Sequence, residues 1–188
     1  GSIMAQIICT KTRPQMATVR YKIFKKPEKE TPHGEIVYMD LKKVDMKSAV
    51  KLLSIIKKES NVDISEADVV IACGRGFQSE KDLEMAHELA DLLGGVVACS
   101  RPLVEAGLMN VRYQIGLSGK TVSPKLMIVL GISGAIQFTS GMDNSDLIIA
   151  INSDPNAQIF DCANYGIVGD VYKVVPELIK LIKEERGE

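Results

Sequence analysis

Four short clusters in this 188-residue sequence combine glycine, hydroxyl, amide and guanidinium groups in ways that suit phosphate and heteroaromatic ligands. Gly74-Arg75-Gly76-Phe77-Gln78-Ser79 has the form G-x-G-x-x-S. Its two glycines would let the backbone approach a phosphate, and a helix N-terminus behind it would add unpaired N–H groups and a favourable dipole. The same residues could equally form a tight structural turn. Ser100-Arg101 stands where a standard NAD-binding unit offers an acid to the ribose hydroxyls. A basic residue there suits a phosphate, or a ring that gains negative charge; a solvated surface arginine is the alternative. Gly131-Ile132-Ser133-Gly134-Ala135-Ile136-Gln137 places two glycines and a hydroxyl before a short helix, a cradle for a pyrophosphate. Asn152-Ser153-Asp154-Pro155 is a polar, turn-forming cluster. Asp170, after Tyr165-Gly166-Ile167-Val168-Gly169, opens a helical segment where it could act only as an N-cap.

Other chemistries lack their parts. Gly116-Leu117-Ser118-Gly119-Lys120-Thr121 misses the four-residue spacing of a Walker loop, and no G-x-S-x-G elbow is present. His33 falls in a charged linker and His87 on a helix face, so a Ser-His-acid triad has no base. Cys9, Cys73, Cys99 and Cys162 are scattered without a C-x-x-C, which argues against a metal site. Cys73 and Cys99 lie inside apolar runs, as small hydrophobes do, and a reducing compartment fits them best. No catalytic residue and no metal ligand is expected.

The elements that must position these clusters are legible from apolar patterning. Val69–Cys73, Val96–Cys99, Leu126–Leu130 and residues 147–151 are continuous apolar runs, as expected of strands buried on both faces of a parallel sheet. Residues 79–93 carry a helical stripe through Leu83, Ala86, Leu89, Ala90 and Leu93. A short helix is expected over 102–106, and a final one over 176–185 with Pro176 in its first turn. Strand alternating with helix predicts a doubly wound α/β domain of Rossmann-like type. Its four polar clusters then fall at four strand ends, where open α/β sheets bind ligands. That convergence favours a nucleotide-type ligand over a purely structural domain.

Ahead of this domain the text differs. Gly1-Ser2 reads as a tag scar. Residues 3–9 and 17–24 read as extended remnants and 25–34 as a charged, proline-containing linker, so the division expected is 1–34 and 35–188. Residues 35–41 alternate like a strand, and Met46, Ala49, Val50, Leu53 and Ile56 recur at helical spacing toward Ser60. Apolar residues are 46% and charged residues 25%, the balance of a globular protein. With 23 basic against 24 acidic residues, the chain lacks the excess of a nucleic-acid or anionic-membrane binder. Its apolar runs are far shorter than the roughly 20 residues of a membrane span.

Taken together, the clusters resemble the C-terminal FAD-binding domain of the electron transfer flavoprotein alpha subunit. The resemblance rests on Gly74-Arg75-Gly76, Ala98-Cys99-Ser100-Arg101, residues 114–120 and 131–137, Ala150-Ile151-Asn152 and residues 165–170, and it runs from about residue 66 to 183. Thr12-Arg13-Pro14-Gln15-Met16-Ala17 is similar to the point where the family's N-terminal domain ends. The resemblance implies a deoxyhypusine-synthase-like Rossmann domain and an alpha subunit without most of its N-terminal domain.

It also implies roles. Arg75 and Ser100 would bind the FAD phosphate and ribityl region, and Arg101 would lie against the isoalloxazine, its permanent charge favouring the negative, reduced ring. Ser118 would aim its hydroxyl at flavin N5, where the family commonly has threonine, with Ile115 and Gly116 lining the same loop. Ser133, Gly134, Ala135, Ile136 and Gln137 would cradle the pyrophosphate and ribityl chain, and Asn152 and Asp170 the adenosine end. Two positions depart from the family. Phe138 replaces a common histidine that bonds flavin O2, and Leu117 replaces a usual glutamine. Electron carriage in a heterodimer with a beta subunit would follow, with flavoprotein dehydrogenases as donors, in the cytoplasm or, in a eukaryote, the mitochondrial matrix. Exposed remnant strands would favour self-association. The alternative reading is an NAD(P)-binding module of transhydrogenase-like type, which Ser100-Arg101 would bias toward NADP.

Overall fold

Four unbroken aliphatic runs, Val69–Cys73 (β1), Val96–Cys99 (β2), Leu126–Leu130 (β3) and Leu147–Asn152 (β4), lie side by side as parallel strands in the computed structural model. The structure describes residues 6–19, 28, 34–40, 42, 50–55 and 63–187. A fifth strand, Tyr165–Val168 (β5), completes the sheet, whose order is β2-β1-β3-β4-β5. Ile71 pairs with Val97 on one side and Ile128 on the other, which fixes the register across the centre. β1 and β3 are buried along both faces, as their composition requires.

Alternation along the strands divides the core into two layers. Ile71, Cys73, Ile128, Leu130 and Ile151 meet the helices Glu84–Leu93 (α1) and Val171–Arg186 (α4) through Leu89, Ala90, Val175 and Ile179. On the opposite face Val70, Ala72, Met127 and Val129 meet Ile115, Val122, Phe138, Met142 and Ile159. Ile71 and Leu89 are fully buried, so truncating either to alanine costs about 2–5 kcal/mol. Two short helices, Arg101–Glu105 (α2) and Ile136–Thr139 (α3), follow β2 and β3.

The strand runs of the sequence reading are the observed strands, and β4 extends one residue further. β5 escaped it because Gly166 breaks the apolar run and all four residues are exposed, so neither burial nor alternation marks it. The last helix starts at Val171, not at Pro176, because Asp170 caps it: the Asp170 carboxylate accepts from the Tyr172 N–H at 3.0 Å. Pro176 therefore sits inside the helix. The helix expected from residue 79 begins as a 3-10 turn at Lys81–Leu83 and becomes regular only at Glu84.

Residues 35–40 do not form the expected strand, and 51–55 do not form the expected helix. Val37 and Leu53 are exposed, and a periodic apolar pattern supports an element only where another surface buries it. The described residues of the two N-terminal stretches, 6–9 and 17–19, are likewise outside any strand. The rest of those stretches, and the remainder of the 46–60 helix, lie outside the described residues.

Candidate functional site

The chain enters the sheet at β1, moves to β2 on one side and then crosses to β3 on the other, so β1/β3 is the switch point. A cleft of about 760 Å³ opens beyond the carboxyl ends there. Its walls come from four strand ends: Arg75 and Gly76 after β1, Ser100 and Arg101 after β2, Gly131 and Ser133 after β3, and Asn152 at the end of β4. A volume of this size is typical of a cofactor pocket.

The turn after β1 is held from behind. Gly76 N–H donates to the Gly131 carbonyl, and a Cβ at Gly131 would lie 2.8 Å from Gly76 Cα, so the β1 and β3 turns touch through backbone alone. Gly131 also has φ +62°, a conformation glycine adopts without strain. The end of the motif is occupied by an internal carboxylate. Asp82 accepts from the N–H groups of Gln78 and Ser79 at 3.2 and 2.9 Å, and from the Tyr172 hydroxyl at 2.9 Å. These hydrogen bonds, the Tyr172 hydroxyl's above all, hold its carboxyl below the usual carboxylate range. With those amides already taken and regular helix starting ten residues after Gly74, no helix N-terminus faces the cleft here. What the motif delivers is Arg75, exposed in the cleft and without an ion-pair or hydrogen-bond partner among the described residues.

After β2, Ser100 is buried and takes the N-cap position of α2, but its side chain makes no capping hydrogen bond. Arg101 is different from Arg75. Its Nε donates to Glu105 Oε1 at 2.7 Å, an (i, i+4) pair whose partner also lines the cleft. Cys73 and Cys99 close their strands beneath this rim as register partners. Burial pushes the Cys99 thiol up to about 12 and Cys73 higher still, so both stay neutral thiols.

Residues 114–120 fold into a loop closed by its own backbone: Lys120 N–H donates to the Gln114 carbonyl at 2.8 Å and Gly116 N–H to the Lys120 carbonyl at 3.2 Å. The loop docks on β2 through Ile115 N–H and the Cys99 carbonyl, and on α3 through Leu117 N–H and the Gln137 carbonyl. At Gly116, φ is +127° and a Cβ would strike the Gln137 carbonyl oxygen, so only glycine allows this approach. Within the loop, Gln114 Nε2 donates to Ser118 Oγ at 2.8 Å. Lys120 Nζ reaches Asp63 Oδ1 at 2.9 Å, anchoring the loop to the segment before β1. Hydrogen bonds from Ser65, and then from Lys120, lower the Asp63 carboxyl to about 2.

Asn152 links the ends of β3 and β4. Its Nδ2 donates to the Ile132 carbonyl at 2.8 Å while its Oδ1 accepts from Asp154 N–H at 3.0 Å. Gly134 packs against the backbone of Ile159, where no Cβ fits.

Of the residues singled out from sequence, Arg75, Ser100, Arg101, Ile115, Leu117, Ser118, Ser133, Ala135, Gln137, Phe138 and Asn152 line the one cleft. Gly116 and Gly134 stand behind the wall as close-packing backbone, Ile136 is exposed outside the lining, and Asp170, also outside it, caps α4. Sequence reasoning missed Glu105, Pro102 and Ala157. Glu105 had a signal, its (i, i+4) spacing from Arg101 on an expected helix.

Residues 63–143 match the family described as the electron transfer flavoprotein FAD-binding domain. Over these residues the chain is similar to the electron transfer flavoprotein alpha family. It is 54% identical over 184 residues to the lactate dehydrogenase (NAD(+),ferredoxin) subunit LctC of Acetobacterium woodii, which covers 97% of this chain and 44% of that protein. It is 49% identical to the protein FixB of Clostridium saccharobutylicum, over 98% of this chain and 55% of FixB. With the electron transfer flavoprotein subunit alpha of Megasphaera elsdenii the identity is 47%, over 100% of this chain and 56% of the relative. The chain thus spans about half the length of the curated relatives it matches.

Proposed function

We propose that the cleft is the flavin site of this FAD-binding domain and that the chain serves as the cofactor-holding part of an electron carrier. The donor set fits the group. Ile115, Leu117, Pro102 and Phe138 offer apolar wall to a flat ring, Arg75 and Arg101 offer cations to a pyrophosphate and a reducible ring, and Ser100, Ser118, Ser133 and Gln137 offer partners for ribityl hydroxyls and ring heteroatoms. Bound FAD supplies the redox chemistry; the protein supplies orientation and electrostatics. Arg75 holds uncompensated positive charge at the end of β1, where a pyrophosphate gains most. Arg101 and Glu105 set the local charge at the end of β2. Ser118 presents a hydroxyl from a loop fixed on three sides.

The observation that carries this reading is the convergence of glycine, hydroxyl and guanidinium groups from four parallel strand ends on one cleft. Supply of electrons by flavoprotein dehydrogenases and assembly with a beta subunit extend the proposal to the whole protein. Four free cysteines support work in a reducing compartment such as the cytoplasm. In this reading residues 35–188 contain the cofactor domain, and the text before it belongs to a neighbouring one.

The test is a visible spectrum of the purified chain followed by identification of the nucleotide released on heating. Flavin bands with near-equimolar FAD, or uptake of added FAD by the chain alone or with a beta subunit, supports the reading. A colourless chain that takes up NAD or NADP and not FAD overturns it.

A further inference from the structure

Ser118 lines the cleft, but the residue that decides what its hydroxyl can do does not. Gln114 lies outside the lining and is only 4% exposed, one of three buried polar residues among those described. Its backbone is fixed at both ends, N–H to the Val111 carbonyl and carbonyl from the Lys120 N–H. Gly119 folds back over it so closely that a Cβ there would meet the Gln114 carbonyl oxygen and lie 3.1 Å from its Cγ. The loop is therefore wrapped around this side chain, whose amide is delivered to Ser118 Oγ at 2.8 Å.

A serine hydroxyl has one proton and two acceptor lone pairs. With an amide N–H occupying the acceptor side, the hydroxyl keeps its proton for a partner elsewhere, and polarisation along the chain strengthens it as a donor. The exposed side of Ser118 is the cleft. We propose that Gln114 is a positioning residue that fixes Ser118 as a hydrogen-bond donor toward an acceptor atom of the bound flavin ring. The inference rests on FAD occupying this cleft. It assigns the polarity of the contact to a residue that never touches the ligand.

A double-mutant cycle on the full chain tests it, with FAD affinity from flavin fluorescence and the flavin reduction potential as readouts. It is run in whichever setting, alone or with a beta subunit, the wild type holds FAD. Gln114→Met and Ser118→Ala should each weaken FAD binding by roughly three- to tenfold. In the Ser118→Ala background, Gln114→Met should then change neither affinity nor potential. Ser118→Thr, which keeps the hydroxyl, should restore the sensitivity to residue 114. Additive effects of the two substitutions overturn the inference while leaving the flavin site intact. A wild type that takes up no FAD in either setting overturns the functional reading, and this inference with it.

If Gln114→Met does not fold, the exposed Ser118→Ala variant alone decides the matter by nitrogen-15 NMR. Addition of FAD should shift the Gln114 side-chain amide in the wild type and leave it unmoved in Ser118→Ala. An equal shift in both overturns the proposal.

Discussion

Two arginines reach the same cleft from adjacent strands, and they differ in what surrounds them. Arg75 leaves β1 on a turn in which Asp82 takes the Gln78 and Ser79 amides, and its guanidinium has no partner among the described residues. Arg101 leaves β2 on a helix that also supplies Glu105, so its charge is offset within one turn. Under the proposed function, Arg75 offers its full charge to a pyrophosphate, while Arg101, partly offset by Glu105, faces a ring whose charge changes on reduction. On that reading the first serves affinity and the second the potential.

Replacing the arginines separately is the strongest way to break that division. Arg75→Ala should raise the FAD dissociation constant roughly ten- to a hundredfold, the worth of a hydrogen bond to a charged group. Arg101→Ala should weaken binding less and lower the reduction potential more. Titration fluorimetry and a redox titration on both variants would show whether affinity and potential part company; equal losses in both would end the comparison. Phe138→His is the next largest effect. A ring N–H at this buried position on the cleft wall would stabilise negative charge on the flavin, raising the one-electron potential by on the order of 60–130 mV. An unchanged potential would count against that placement.

Glu105→Gln sharpens the contrast more gently. Releasing Arg101 from an exposed pair should raise the potential by about 10–20 mV, with little change in FAD affinity. The smallest effect concerns the third basic anchor, Lys120. The folded Asp63 carboxyl lies below its ordinary value of 3.8, at about 2, so its contribution to stability is present above pH 3.8 and disappears as pH falls toward 2. Acid titration of Asp63→Asn, followed by circular dichroism, should show that part of the acid limb missing. An identical acid limb would mean that the hydrogen bonds Asp63 accepts from Ser65 and Lys120 add nothing to the stability of the fold.

Buried aliphatic runs are the part of this molecule that sequence states most directly. β1 to β4 are each continuous, each buried and each followed by a polar cluster, so strand positions and the cleft at their ends could be read together. β5 could not, since Gly166 interrupts a run of only four residues and all four are exposed at the edge of the sheet. Asp82 shows a second kind of silence. Its role as a cap on Gln78 and Ser79 is local, but the Tyr172 hydroxyl that completes the arrangement comes from 90 residues away. That carboxylate takes the two amides at the end of G-x-G-x-x-S, and nothing within the motif announces it. Gln114 was likewise passed over, because a buried amide earns notice only once its acceptor is known.

The central position of β1 has a consequence for the order in which the molecule can be made. β1 pairs with β2 across a short helical connection, but its other neighbour, β3, begins only after a long detour; Asp68 and Lys125, which bridge the two starts, are 57 residues apart. A chain emerging from the ribosome can therefore complete the β1–β2 half while the opposite edge of β1, a row of unpaired N–H and C=O groups flanked by apolar side chains, still waits for its partner. Non-local parallel pairing of this kind slows folding and leaves a sticky edge exposed meanwhile. The seam that opens into the cleft is thus also the seam that closes late in synthesis, and it is where a nascent chain is most open to chaperones or to aggregation.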